Sequence, residues 1–382
     1  MKKRNIPEYR FSGYTDDWEQ RKLGEVGTVA MNKRIFKEQT SATGDIPFFK
    51  IGTFGGEPDA FISRELFEEY KSKYPYPEKG DLLLSASGSI GRVVEYEGEE
   101  AYFQDSNIVW LNHSGNLNNL FLKQFYENVT WDGIEGTTIK RLYNKNILNT
   151  EINLPSLPEQ ESIGNFFRQL DDLLTLHQRQ LDLLKERKKT YLKLLFPAQG
   201  QKVPALRFDG FEGEWEEKKL ADVILSENKG KAKLENKGEL ATYLDADFLN
   251  GGNTIKVDVP EDVTENDLII LWDGSQAGTV YKGTRGALGS TLKVYRLSCE
   301  NNFIYYQMKM NQKLIYEKYR TPNIPHVINT FTKEFSISYT SFPEQKAIGN
   351  FFSVLDQEMA QVESQLVSLK DMKATLLRKL FL

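Results

Sequence analysis

Few residues in this 382-residue chain are of types and spacings that could do chemistry, and the first to weigh are Asp59, Glu69 and Lys71. Pro58-Asp59 followed by Glu69-Tyr70-Lys71 satisfies the loose PD…ExK pattern, in which carboxylates hold a divalent cation for phosphodiester cleavage. That chemistry needs the Glu and the Lys on a strand. The surrounding string SRELFEEYKSKY instead carries Leu66, Phe67 and Tyr70 at helical spacing, which predicts a helix and argues against a nuclease. The sequence holds no G-x-x-x-x-G-K-[ST] loop for nucleotide hydrolysis, and Gly88-Ser-Ile-Gly91 lacks the spacing of a dinucleotide fingerprint, so it reads as a turn. One cysteine, Cys299, and three scattered histidines, His113, His177 and His326, form neither a disulfide framework nor a metal cluster, so no metal site is expected. A lone cysteine and the lack of any stretch near the roughly 20 apolar residues of a membrane span fit a cytoplasmic protein that avoids membranes.

The remaining polar residues suit the reading of nucleic acid. The candidate nucleic-acid-binding residues are Lys33, Arg34, Ser87, Ser89, Arg92, Asn107, Thr138, Lys140 and Arg141 in the first half. In the second half they are Lys231, Lys233, Ser275, Gln276, Lys282, Arg285, Arg320, Asn323 and His326. All fall in predicted loops, beside Asn32, Ser85, Gln104, Asp105, Thr137, Lys229 and Asp273. Arg and Lys match guanine edges or phosphates and Asn and Gln match adenine, each good bidentate base contact giving about 1–3 kcal/mol of discrimination. The net charge of −5 counts against a polyanionic partner if taken alone. The cations must then be sorted onto one face, or another subunit must share the phosphate contacts.

The elements that position these loops occur twice. Ile6 to Val26, IPEYRFSGYTDDWEQRKLGEV, matches Val203 to Val223, VPALRFDGFEGEWEEKKLADV, without a gap at 9 of 21 positions. GDLLLSASGSIGRVVEY from Gly80 answers NDLIILWDGSQAGTVYK from Asn266, each a β-rich run leading into a Gly-Ser turn and a second strand. Finally PEQESIGNFF from Pro158 reappears as PEQKAIGNFF from Pro343. The chain is therefore read as two copies of one unit, a mixed strand-rich domain followed by a helix, with boundaries at 1–155, 156–199, 200–340 and 341–382.

Both helices are predicted to open with a capping box, Ser156-Leu-Pro-Glu159 and Ser341-Phe-Pro-Glu344, in which the Glu reaches back to the cap. From there the apolar residues step by four and three, the period of a coiled-coil seam: Ile163, Phe167, Leu170, Leu174, Leu181 and Leu184 in the first, and Ile348, Phe352, Leu355, Met359, Val362, Leu366 and Leu369 in the second. His177, Lys188 and Lys373 fall on the same seams. About five heptads of apolar surface need covering, either by the other helix of this chain, or by helices of another subunit, or by both.

The two RF-x-G-[YF]-x-x-x-W-x-x-[RK]-K-L strings, the two strands running into Gly-Ser turns and the two PEQ…IGNFF helix starts make the whole chain resemble the specificity subunit of a Type I restriction-modification system. The resemblance implies an α+β fold with a pseudo-twofold internal repeat, in which two homologous target recognition domains are separated by two long antiparallel coiled-coil helices. It implies a non-catalytic subunit whose domains each read one half of a bipartite, asymmetric site in double-stranded DNA. It further implies two methyltransferase (modification) subunits docked on the helices and restriction/translocation subunits beyond them. S-adenosylmethionine, ATP and Mg2+ are then expected on those partners and no cofactor in this chain. A coiled-coil scaffold whose domains bind proteins remains a second reading of the same repeats.

Overall fold

The structure, a computed structural model, describes residues 5–131, 133, 140–323 and 325–381. The chain folds as two compact units, one made of Met1–His177 with Gln365–Leu382 and the other of Gln178–Ser364. Each unit thus combines one mixed domain with the start of one long helix and the end of the other.

The strands of the first unit are β1 (Glu19–Lys22), β2 (Thr28–Ala30), β3 (Ile46–Phe49), β4 (Phe61–Ile62), β5 (Leu82–Ser85), β6 (Val93–Glu95), β7 (Tyr102–Phe103), β8 (Ile108–Asn112) and β9 (Glu151–Leu154). They pair as β1-β9, as a four-stranded sheet in the order β2-β8-β5-β6, and as a three-stranded sheet β4-β3-β7. The second unit has β10 (Glu216–Lys219), β11 (Ile224–Lys229), β12 (Lys237–Leu244), β13 (Lys256–Val257), β14 (Leu268–Leu271), β15 (Val280–Lys282), β16 (Ala287–Leu288), β17 (Leu292–Leu297) and β18 (Ser336–Tyr339). These pair as β10-β18, β11-β17-β14-β15 and β13-β12-β16, the same plan strand for strand. Even the odd parallel pair recurs, Phe48 beside Tyr102 in one unit and Tyr243 beside Ala287 in the other. The continuous apolar runs of β5 and β14 are buried on both faces, as an uninterrupted hydrophobic strand requires. Register across the hairpins sets Leu82 opposite Glu95 and Leu268 opposite Lys282, so the second hairpin is one residue longer and Glu95 is the counterpart of Lys282.

The long helices run Leu157–Leu195 and Phe342–Leu380. Every seam residue named from the sequence is buried or half-buried in them. In the first unit Lys373 of the second helix pairs with Asp171 of the first at 2.7 Å. In the second unit Lys188 pairs with Asp356, and Lys185 lies 3.2 Å from Glu363. Within each unit positions fall along one helix as they rise along the other, so the two helices of this chain cover one another antiparallel. The seam lysines are satisfied by carboxylates at equivalent positions, Asp171 and Asp356, which lets a charge sit on an apolar seam. His177 bonds the Leu173 carbonyl through Nδ1 at 2.8 Å, a local helix contact.

The helix predicted around Glu69 spans Arg64–Lys73, capped by the Ser63 hydroxyl, which accepts from the Leu66 N–H. Glu69 pairs along it with Lys73 at 3.0 Å, Asp59 pairs with Lys50 at 2.8 Å, and the Lys71 ammonium sits over the Phe67 and Tyr76 rings. The three residues of the nuclease pattern are thus engaged separately.

Candidate nucleic-acid interface

The repeated entry strings and helix starts meet at one junction in each unit. Arg10 donates through Nε and Nη2 to the two carboxylate oxygens of Glu159, both at 2.7 Å, and Arg207 does the same to Glu344 at 2.7 and 2.8 Å. The capping boxes expected at Glu159 and Glu344 are therefore corrected: these carboxylates, each 1% exposed, receive a bidentate guanidinium instead of reaching back to the cap. The glutamine that follows stitches two elements together. Gln160 accepts from the Asn118 N–H and donates to the Pro155 carbonyl, while Gln345 accepts from the Glu300 N–H and donates to the Thr340 carbonyl.

Asn118 and Glu300 cap the short helices Asn119–Asn128 and Asn301–Met310. Gly164 and Gly349 let the long helices approach those caps: a Cβ on Gly164 would lie 2.6 Å from Leu120 Cβ and 2.8 Å from the Phe121 nitrogen. Aromatic rings close the junction, Phe11 against Phe166 and Phe208 against Phe351, with Trp18 packing on Phe121 and Phe381, and Trp215 on Phe303 and Phe196. The Arg, Phe and Trp of the repeated entry strings and the Glu, Gln and Gly of the repeated helix starts are thus all part of this frame.

The frame presents one backbone arrangement in both units. After β5, Ala86 donates its N–H to the Asn107 carbonyl at 2.7 Å and accepts from the Leu142 N–H at 2.8 Å, and Ser87 pairs with Arg141 as an isolated bridge. After β14, Trp272 donates to the Thr291 carbonyl and accepts from the Val327 N–H at 2.8 and 2.9 Å, and Asp273 pairs with His326. Arg34 reaches Asp105 at 3.1 Å in the first unit, and Lys229 reaches Asp273 at 2.8 Å in the second. The same backbone hydrogen-bond pattern therefore carries Ser87 and Arg141 in one copy and Asp273 and His326 in the other, and Arg141 is the exposed member of the first pair.

Most of the candidate residues line these tips. Lys33, Arg34, Ser89, Arg92, Lys140 and Arg141 are exposed, as are Lys231, Lys233, Ser275, Gln276, Arg285 and Asn323. Several are pre-positioned: the Lys33 ammonium lies 5.0 Å from the Tyr74 ring, Arg92 donates to the Gly55 carbonyl at 3.1 Å, and Arg285 pairs with Glu261 at 3.0 Å. Arg320 donates to the Ser275 carbonyl at 2.9 Å with its guanidinium 5.1 Å from the Tyr316 ring, and His326 Nδ1 lies 3.0 Å from the Thr321 hydroxyl. Thr138 lies outside the described residues.

Four placements change the expectation. Ser87 is 4% exposed and spends its hydroxyl on Asn107 at 2.7 Å, so it orients the half-buried Asn107. Asn32 and Ser85 are likewise buried. Lys282 departs altogether: its ammonium bonds the Tyr306 hydroxyl at 2.6 Å and Asp356 of the second long helix at 3.3 Å. Among the described residues no group of His, Cys, Asp and Glu could hold a metal, and no helix is long and apolar enough to cross a membrane.

The Type I restriction modification DNA specificity domain matches the chain twice, at residues 15–186 and 212–368. The chain belongs to that family. The two matches fall on the two copies of the strand plan. A putative type I restriction enzyme specificity subunit of Haemophilus influenzae is 55% identical over 152 residues, a match that spans 40% of this chain and 40% of that protein's length. The putative type I restriction enzyme MjaX specificity subunit of Methanocaldococcus jannaschii is 22% identical over 394 residues, spanning 93% of this chain and 90% of the other. The crystal structure of a Type-I restriction-modification system S subunit from M. genitalium has the same fold, with a TM-score of 0.70 and 20% identity over 99% of both chains.

In this member of the DNA specificity family the sequence alone missed a charge cluster under the second domain. Burial would raise the Asp356 carboxyl, but the Lys188 ammonium and the Tyr306 hydroxyl outweigh it and hold it below the usual carboxylate range. Burial pushes Lys282 and Lys309 down. At the equivalent seam position Lys373 loses by burial but gains more from Asp171 and Glu127, and is raised. No signal in the sequence marked it: the ungapped repeat sets Lys282 on Tyr96, and only the strand register of the fold sets it against Glu95.

Proposed function

We propose that this chain is the non-catalytic specificity subunit of a Type I restriction-modification complex, each domain reading one half of a bipartite, asymmetric DNA target. Residues 1–155 and 200–340 are the two recognition domains, and 156–199 and 341–382 the spacer helices that dock two methyltransferase subunits. Those partners carry S-adenosylmethionine and methylate adenine flipped out of the duplex, and a motor and nuclease subunit using ATP and Mg2+ restricts unmethylated DNA. The observation that supports the reading is a junction common to both copies paired with tips that differ, Arg141 in one copy against His326 in the other on matching backbone hydrogen bonds. A protein-binding scaffold has no need to keep the backbone and change only the hydrogen-bonding edges.

Mapping methylated adenines by long-read sequencing of a host with and without this gene tests it. One bipartite motif should vanish with the gene, and grafting residues 202–341 from a relative should change only one half of it. A host whose methylated motifs do not depend on the gene overturns the assignment.

A further inference from the structure

The turn that leads into β8 is built tightly enough to aim one side chain. Ser106 sits at φ 59°, a left-handed conformation uncommon for any residue but glycine, and the Asn107 N–H closes on the Asp105 carbonyl at 2.7 Å. Three side chains pin this turn. Gln104 accepts from the Ile51 N–H at 2.9 Å, Asp105 accepts from Arg34 at 3.1 Å, and Asn107 accepts through Oδ1 from the Ser87 hydroxyl at 2.7 Å. A sparsely populated conformation persists where its surroundings over-determine it, and such places cluster at binding sites.

Ser87 is buried, so its bond turns Asn107 Oδ1 inward. The half-buried Asn107 has no partner for its amide nitrogen among the described residues, and the exposed Arg141 lies beside it, bridged to Ser87. An asparagine with both amide atoms available pairs with adenine, donating to N7 and accepting from N6. With Oδ1 engaged, Asn107 presents donors only. Donors suit the major-groove acceptors of guanine, O6 and N7, or of thymine, O4. The second copy has the same node: Thr291 directly precedes β17, and its carbonyl accepts from the Trp272 N–H as that of Asn107 accepts from the Ala86 N–H. Thr291 is exposed, and its hydroxyl and methyl group suit a different base edge.

Resting on the specificity reading above, we propose that Asn107 and Thr291 are the equivalent base-reading residues of the two domains, and that Ser87 is a positioning residue that makes Asn107 a donor to guanine or thymine. Adenine is excluded at that position because its N6 donor finds no acceptor facing it.

With the target mapped, the complex with its methyltransferase partners is assayed on that duplex and on duplexes carrying each single base-pair change in it. Asn107→Ala should lose about tenfold of discrimination at one guanine or thymine of one half-site and leave the other half-site unchanged. Asn107→Asp sets an acceptor where the donor stood, so the preference at that position should move to cytosine, whose N4 donates. Ser87→Ala releases Oδ1 and should admit adenine at the same position with the salt dependence of binding kept, whereas a merely structural serine would lower the melting temperature and leave the base preference alone. Thr291→Ala should relax one position of the other half-site. Asn107 variants that keep the wild-type preference at every position, or that lose affinity evenly across both half-sites, overturn the assignment of Asn107. An unchanged preference in Ser87→Ala or Thr291→Ala overturns the role of that residue. Wild type that shows no preference for the mapped duplex overturns the specificity reading itself.

Discussion

Glu159 and Glu344 are the most deeply buried carboxylates among the described residues. Each is buried and receives both arms of an arginine from the repeated N-terminal string. Removing one partner of such a pair leaves a buried charge uncompensated, which costs about 3–5 kcal/mol. Glu159→Gln should therefore free the strap that Arg10 anchors. Hydrogen exchange reads this at the Tyr9 amide, which bonds the Lys379 carbonyl at 2.9 Å; exchange no faster than wild type would show the pair to be dispensable.

Lys282 supplies a second test at this scale. Lys282→Met leaves Asp356 its bonds to Lys188 and Tyr306, so stability should hold or rise and DNA affinity should keep its salt dependence. A lysine touching phosphate would instead lower the salt slope by about one when removed. Because the Asp356 carboxyl is held low, its contribution is complete above the unfolded value near about pH 4 and fades as pH falls through the folded one. Asp356→Asn should flatten that acid limb in a pH series of unfolding midpoints.

At the scale of elements, the two junction glycines are not equivalent. A helical Gly→Ala exchange gains about 1 kcal/mol of intrinsic propensity. At Gly164 the new Cβ would meet a backbone nitrogen at 2.8 Å and a Cβ at 2.6 Å, neither of which can yield without moving the short helix. At Gly349 the nearest atom is the end of the Glu300 side chain at 2.3 Å, which can rotate away at the expense of its cap on Phe303. Gly164→Ala should therefore lower the melting temperature more than Gly349→Ala, and the reverse order would refute this account of helix docking.

For the whole molecule, the proposed specificity reading treats the two long helices as a ruler between the half-sites. Seven residues are ~10.5 Å of helix, close to the rise of three base pairs. Deleting residues 175–181 from the first helix keeps the heptad phase while shortening it, and should shift the distance between methylated adenines or abolish assembly. An unchanged spacer at full activity would rule out the helices as a ruler.

Much of this was legible in the sequence because repeats and periodicity are local. The duplicated strings at Arg10 and Arg207 and at Glu159 and Glu344, together with the four-three apolar steps, sufficed to determine two copies, two long helices and the family. What the repeats were for was not legible. The pairing of Arg10 with Glu159 joins residues 149 apart, and nothing local distinguishes a glutamate that caps its own helix from one that receives a distant guanidinium. Likewise Ser87 and Lys282 share the composition of a DNA-facing loop, and only the fold decides that one is buried against Asn107 and the other turned onto Asp356. Side-chain chemistry sets what each residue can bond, and the tertiary structure chooses which available partner it meets.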